Sequence, residues 1–281
     1  MPIFLGNKEI GLSSLGSLPV SEIKQVILDS DVSAFIAATG ITGSAILAVD
    51  TLVASLKAED LWNTFDAIYP MVGANANANK YNLKNPQDTD AAFRLNFVGT
   101  WTHNSSGARG NGIDTYADTY YNLTTNATNS NSSLTYYSFT DNAAADMTEM
   151  GVQDIANPGG NACLLSAKYI NSFTYYSWTG DNPFVGGQTS QGFFIQNVQT
   201  STTVDAWKNG TKIINAGACT NVTLPNINLY LGAFNDNGST GRSSDRGCSF
   251  ATMGNTIASG KEATFSTIVN TFQSNLGRYS Y

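Results

Sequence analysis

Apolar residues recur at helical spacing in the first quarter of the chain and at strand spacing after it. Ile23, Val26 and Ile27 fit one and a half helical turns, and Asp31 to Ala38 ends at Gly40, a residue suited to the left-handed position after a helix. Ile46, Val49, Leu52, Val53 and Leu56 lie along one face of a 3.6-residue helix. Leu61, Trp62 and Phe65 continue that surface and predict a short further helix, which Pro70 stops.

Near residue 69 the period changes to two. Phe93, Leu95 and Phe97 alternate with Arg94 and Asn96, with Trp101 and His103 in phase, and Leu134 to Phe139 is rich in strand formers. Further strands are predicted at Ile113–Tyr121, Met147–Val152, Ala162–Tyr169, Phe173–Trp178, Gly192–Val198, Thr202–Trp207, Lys212–Asn215, Ile227–Phe234 and Cys248–Met253. Turn clusters such as Asn157-Pro158-Gly159-Gly160 and Gly186-Gly187 separate them. Asn209-Gly210 between two strands supplies the positive φ of a type I′ hairpin. Ser259 and Glu262 have the spacing of a capping box. They introduce a closing helix with Phe265, Ile268, Val269, Phe272 and Leu276 on one face and Gly277 at its end. Many short strands without intervening helices predict a mainly β fold, an antiparallel jelly-roll sandwich with a small N-terminal helical region and a C-terminal helix. The expected organisation is an arm over residues 1–20, a helical appendage over 21–68 and the sandwich over 69–281.

Composition narrows the function. Charged residues are only 12% of 281, so Asn, Ser, Thr, Gly and Tyr must supply most of the surface. A net charge of −7 without a Lys/Arg cluster argues against nucleic acid, whose affinity comes from counterion release by basic side chains. No membrane insertion is expected, because Ser44–Leu56 is shorter than the ~20 residues a span needs and contains Asp50. The N-terminus lacks the basic and long apolar regions of a signal peptide, so export by the general route is not expected. Cys163, Cys219 and Cys248 form no CxxC pair and read as buried small apolar residues.

Candidate chemistry is sparse. The one histidine, His103, has no nucleophile elbow near it and reads as a packed residue beside Trp101. Of five glutamates only Glu149 falls among the strands, and Asp146 and Asp154 lie at odd separations from it, on the opposite face. No catalytic residue is expected, although a glycosidase assembled from Asp residues on different strands stays open. Asp236 and Asn237, in a loop rich in oxygen ligands, are candidates for calcium, but no bidentate Glu follows and the loop reads as an Asx-rich turn. No cofactor is therefore expected. Exposed aromatic rings amid Asn, Asp and Thr suit sugars, which makes Tyr116, Tyr120, Tyr175 and Trp178 the candidate glycan-binding residues.

Four stretches carry a family resemblance. They are Ile68–Gly73 with Lys80–Leu95; Thr100–Ala108 with Gly112–Thr119; Trp207–Gly210; and Leu229–Ala233 with Cys248–Ala251 and Phe272–Arg278. Together they resemble phage virion proteins of the tail and fibre type that carry a concanavalin A-like, laminin-G-like sandwich. An echo of Phe4-Leu5-Gly6-Asn7 at Ser14-Leu15-Gly16-Ser17 is similar to the start of phage tail and fibre proteins, departing from them at Pro19. The resemblance implies a non-enzymatic structural protein on the virion surface, a fibre or decoration that attaches to the host. Its implied partners are other virion proteins, held through the N-terminal region, and host-surface glycans. It also implies a homo-oligomer, a trimer being the favoured form. The alternative is a virion-associated polysaccharide depolymerase, a glycoside hydrolase.

Overall fold

A computed structural model describes residues 3–5, 8–10, 28–142, 146–154, 161–168, 174–178, 184–219 and 223–281. The predicted helix at Ile23–Ile27, the turn at Asn157–Gly160 and most of the N-terminal echo lie outside them. Helices α1 (Ser30–Thr39) and α2 (Ser44–Ala58) come first; α3 (Ala76–Asn79) and α4 (Leu123–Asn126) are single turns, and α5 (Glu262–Asn275) closes the chain. Strands β1 (Ile3–Leu5) and β2 (Lys8–Ile10) form a small antiparallel pair. The remaining strands are β3 (Phe65–Tyr69), β4 (Asn96–Val98), β5 (Thr102–Asn104), β6 (Gly107–Arg109), β7 (Tyr116–Asn122), β8 (Ser132–Ser138), β9 (Met150–Asp154), β10 (Asn161–Ser166) and β11 (Thr174–Trp178). They continue through β12 (Phe184–Val185), β13 (Gly192–Thr200), β14 (Thr203–Lys208), β15 (Thr211–Ala218), β16 (Asn228–Leu231), β17 (Phe234–Asp236), β18 (Ser239–Gly241) and β19 (Cys248–Gly254).

Two large sheets result. One runs β15-β14-β13-β8-β19-β6-β5, with β3 also on β19; the other runs β12-β11-β10-β9-β16-β7-β4, with the β17–β18 hairpin against β9. The fold is a mainly β sandwich with a C-terminal helix, as the period-two patterning predicts. Pairing is antiparallel except that β17 runs parallel to β9 over Phe234–Asp236, because the chain turns back at Gly232 onto the edge that β16 has just used.

Three layers follow from where the apolar side chains point. Tyr136, Phe194, Ala251 and Met253 of the first sheet meet Ala117, Tyr121, Val152, Leu165, Leu229 and Leu231 of the second in the central core. The other face of the first sheet carries Tyr137, Phe193, Ile195 and Phe250, which pack with the stripes of α2 (Val49, Leu52, Val53, Leu56) and α5 (Phe265, Val269, Phe272). The centre of that sheet is dry on both sides, with every residue of β8 and β19 buried, while its edge strands β15 and β5 reach water. β7 in the second sheet instead alternates buried and half-exposed positions, so its outer face meets water.

Local chemistry fixes the ends of the helical layer. Asp29 caps α1 by accepting from the Asp31 amide at 2.9 Å, and Gly40 ends it in the left-handed conformation, φ 69°. Lys57 on α2 reaches back to Asp29 at 2.8 Å and Asp31 at 2.6 Å. This holds the Asp29 carboxyl below its ordinary range, chiefly through the hydrogen bond from Lys57. The Asn209-Gly210 hairpin has the predicted left-handed pair, φ 51° and 78°.

Some local predictions are corrected. Only Trp62–Thr64 is helical after α2; Phe65 enters β3, because tertiary pairing with β19 outweighs the weak helical preference of so short a segment. Ser259 is not the cap of α5, whose N-cap is Lys261 without a side-chain bond. Glu262 turns instead to the Gly260 amide at 2.9 Å and the Asn197 side chain at 3.2 Å, tying the helix to β13. The predicted run from Phe93 to His103 divides between two sheets, β4 in one and β5 in the other, beginning after a left-handed Phe93 (φ 56°) and breaking at Gly99 (φ 80°).

One ion pair is entirely inside. Arg246 Nη1 lies 2.9 Å from Glu149 Oε1, and both side chains are 0% exposed. Glu149 also accepts from the Ser244 hydroxyl at 2.8 Å and from the Ala167 amide. The Arg246 carbonyl accepts from Tyr136 Oη at 2.6 Å, on β8 of the first sheet. The pair therefore ties together the residue before β9, the residue that follows β10 and the approach to β19. Removing one partner strands the other charge without water. Arg246→Met is expected to cost about 3–5 kcal/mol, read as a lower urea midpoint with an unchanged denaturant slope.

Candidate glycan-binding face

The open outer face of the second sheet is built on β7. Its alternation sends Ala117, Thr119 and Tyr121 inward and leaves Tyr116, Asp118, Tyr120 and Asn122 half-exposed. Antiparallel neighbours extend the row. Val98 and Asn96 of β4 stand opposite Tyr116 and Asp118, while Tyr230 and Asn228 of β16 stand opposite Asp118 and Asn122.

Tyr116 and Tyr230 stack with ring centroids 4.3 Å apart and planes at 17°. Tyr230 is only 7% exposed and Tyr116 is half-exposed, so Tyr116 is the outer ring of the stack. Burial, then the neighbouring Tyr116 and Asp118, pushes the Tyr230 phenol up to about 12.

Asp118 sits between the stack and Tyr120. It accepts from the Tyr120 amide at 2.8 Å and from Asn228 Nδ2 at 3.3 Å. The first bond has a backbone cause. Between the Asp118↔Tyr230 and Asn122↔Asn228 pairs β7 has more residues than β16, and the bulge places Tyr120 in the left-handed region, φ 56°. The Asp118 side chain takes up the Tyr120 amide, and Thr119 Oγ1 accepts from the Tyr121 amide at 3.1 Å. The bulge re-aims the Tyr120 ring toward Arg94, whose guanidinium lies 5.5 Å from the ring centroid. Arg94 is held by Asp90 at 2.8 Å and Asp88 at 3.6 Å, and Lys80 pairs with Asp88 at 2.7 Å. Burial and then the Asp90 charge raise the Tyr120 phenol. The result is a broad polar floor with aromatic rings and amide groups, suited to stacking on a sugar face and bonding its hydroxyls.

The four aromatic residues named from the sequence do not form one cluster. Tyr116 and Tyr120 are on this floor. Tyr175 and Trp178 are on β11, opposite Ser166 and Cys163 of β10, with β16, β9 and β10 between them and β7. At about 4.8 Å per strand that is roughly 19 Å across the sheet. Their side chains lie outside the described residues. Asp236 and Asn237 fall at the turn of the β17–β18 hairpin, which borders the floor through Asn235 Nδ2 to the Asn228 carbonyl at 2.9 Å. Asn237 donates its amide to the Gln153 carbonyl at 3.0 Å. Among the described residues no three His, Cys, Asp or Glu side chains gather as a metal centre.

Sequence reasoning missed Asp118, Asn96, Asn228, Tyr230 and Arg94. The spacing Tyr116-x-Asp118-x-Tyr120 was the available signal, since alternate strand residues share a face. Glu149, one residue before β9, belongs to the interior ion pair. His103 packs edge-on to Phe97 at 4.7 Å with Asn79 Nδ2 3.0 Å from its Nδ1, and burial lowers its pKa. The three cysteines are buried, as the sequence predicts. Two hollows of about 360 and 320 Å³ meet at Asn63, but the lysines lining them are already engaged: Lys57 by Asp29 and Asp31, Lys84 by the Trp62 carbonyl at 2.8 Å.

No family model matches the chain, and no curated protein does. Solved structures do. A mutant of Trypanosoma rangeli sialidase displaying trans-sialidase activity matches at TM-score 0.52 and 12% identity, over 83% of this chain and 40% of that one. The fourth domain of a GH43 extracellular arabinanase from Geobacillus stearothermophilus, in complex with arabinotriose, matches at TM-score 0.44 and 13% identity, over 73% of this chain and 98% of the domain. The chain spans about two fifths of the length of the sialidase it is similar to. At 12% identity the likeness to the sialidase is one of fold alone. It corrects the expectation of a non-enzymatic phage virion structural protein: the sialidase is a glycan-processing enzyme, and the glycosidase alternative fits the fold better.

The raised Tyr230 phenol has a pH consequence. Its folded-state pKa lies above the ordinary value of 10, so its contribution to stability is complete below pH 10 and is lost as pH rises toward 12. Urea unfolding between pH 10 and 12 is expected to show stability falling, with a loss smaller by roughly 2–3 kcal/mol in Tyr230→Phe.

Proposed function

We propose that this chain works in glycan processing, as the glycan-holding β-sandwich of a glycoside-hydrolase-type protein. The observation that carries the reading is the open face of β7 and β16. There the stacked Tyr116–Tyr230 pair, Tyr120 and Asp118 stand together on a rigid sheet whose opposite face is core. A sugar presents an apolar C–H face and a rim of hydroxyls. A half-exposed ring beside carboxylate and amide groups offers both contacts, and a sheet holds them with little ordering cost on binding.

The sandwich of the sialidase supports the same reading at the level of fold. The residue resemblance to phage virion sandwiches is accommodated in one form of it, a virion-associated polysaccharide depolymerase acting at the particle surface. Tyr175 and Trp178, on β11 of the same sheet, would then serve a separate contact with a long chain.

Affinity electrophoresis through gels containing a broad panel of bacterial and plant polysaccharides tests the reading. At least one glycan is expected to retard the protein. Tyr116→Ala and Tyr120→Ala are each expected to weaken that binding about tenfold, close to 1.4 kcal/mol, while leaving the thermal transition within a few degrees. Absence of retardation by every glycan, or retardation unchanged in both variants, would overturn it.

A further inference from the structure

We infer that the β7–β16 face selects uncharged glycans and rejects acidic ones; this rests on the glycan-holding reading above and adds the substrate class. Asp118 lies in the middle of the floor, between the Tyr116–Tyr230 stack and Tyr120. Among the described residues its hydrogen-bond donors, the Tyr120 amide and Asn228 Nδ2, are neutral and leave its charge uncancelled. Any sugar stacked on Tyr116 meets that carboxylate.

The bordering cations do not offset it. Arg94 is shared by Asp90 and Asp88, and Lys80 is bound to Asp88. Arg242, just after the β17–β18 hairpin, pairs with Asp146 at 2.9 Å. The chain as a whole carries −7. A carboxylated or sulfated sugar on this floor would face Asp118 with no cation committed to it, and like charges a few ångströms apart repel appreciably at a protein surface. A neutral sugar instead finds in Asp118 an acceptor for a hydroxyl and in Asn96 and Asn228 neutral amide partners. Burial raises the Tyr120 phenol, which stays a neutral hydroxyl at neutral pH. This is the opposite preference from the carboxylated sugar for which the sialidase is named, so fold likeness and site chemistry point to different substrates.

Isothermal titration of the full chain with matched neutral and acidic oligosaccharides tests this. The set would pair gluco-, galacto-, manno- and arabino-oligomers with sialylated, uronic-acid and sulfated counterparts of equal length. The best neutral ligand is expected to bind at least about tenfold more tightly than any acidic one at low salt. The gap should narrow as salt shortens the screening length to about 8 Å at 0.15 M. Asp118→Asn is expected to strengthen binding of the acidic set severalfold while weakening the neutral set. Equal or tighter binding of an acidic glycan, lost in Tyr116→Ala, would overturn the charge selection and leave the glycan-holding reading standing. Binding of neither set would overturn both. An Asp118→Asn variant with an unchanged neutral-to-acidic ratio would also overturn the selection.

Discussion

The central strands of the eight-stranded sheet must be dry on both faces, and the architecture follows from that requirement. β8 and β19 are buried throughout, with rings on each side: Tyr136 toward the central core, Tyr137 and Phe250 toward the helices. One sandwich partner covers only one such face. The α2 and α5 stripes cover the other, which places the N-terminal helical region and the C-terminal helix in one layer although nearly the whole sandwich separates them in sequence. The Ile46–Leu56 stripe is thereby satisfied within one chain. The helices cover one sheet only; on the other, Phe234 of the β17–β18 hairpin packs over Ala162 and Leu164 of β10, and the outer face is left open at β7, where Tyr116, Asp118 and Tyr120 meet water beside Asn228 of β16.

Polar groups inside this frame act as fasteners. The Glu149–Arg246 pair crosses between segments distant in sequence, and its remaining lone pairs are taken by Ser244 and Ala167. A buried ion pair of this kind contributes little net stability against an apolar equivalent, but each member makes the other's position obligatory. Arg278 does similar work at the C-terminus, donating to the carbonyls of Met71 at 2.7 Å and Ser105 at 2.6 Å. Residues at the two ends of the sandwich are thus connected by charge-assisted hydrogen bonds to backbone, which need no partner carboxylate.

The candidate site shows the reverse economy. Its central distortion is a non-glycine residue, Tyr120, held in the left-handed region by a bulge and by the Asp118 side chain. Such a conformation carries a cost that the surrounding sheet must over-determine, and here two pairs fixed by Tyr230 and Asn228 do so. The bulge puts the Tyr120 ring under Arg94 rather than in register with Tyr116, so the floor is wider than a regular strand would make it. Fold likeness to a sialidase does not specify this arrangement; it comes from the side chains of this chain.

By itself the sequence determined the fold class, most strand positions, the Asn209-Gly210 hairpin and the apolar stripes of α2 and α5. All of these depend on local spacing, and period 2 or 3.6 survives whatever partner covers the face. It also pointed to Tyr116 and Tyr120, which lie on one strand. What only the tertiary structure decided is long-range. Phe65 became strand because β19 offers it an edge, Glu262 turned from a capping box to Asn197, and Glu149 became an interior ion because Arg246, almost a hundred residues on, folds against it. Tyr230 and Asn228 joined Tyr116 and Asp118 only when β16 paired with β7. Tyr175 and Trp178 went to β11, with three strands between it and β7 in the same sheet. Local periodicity records which face of an element is apolar; strand order and register decide which polar residues share the opposite face, and no local spacing encodes them.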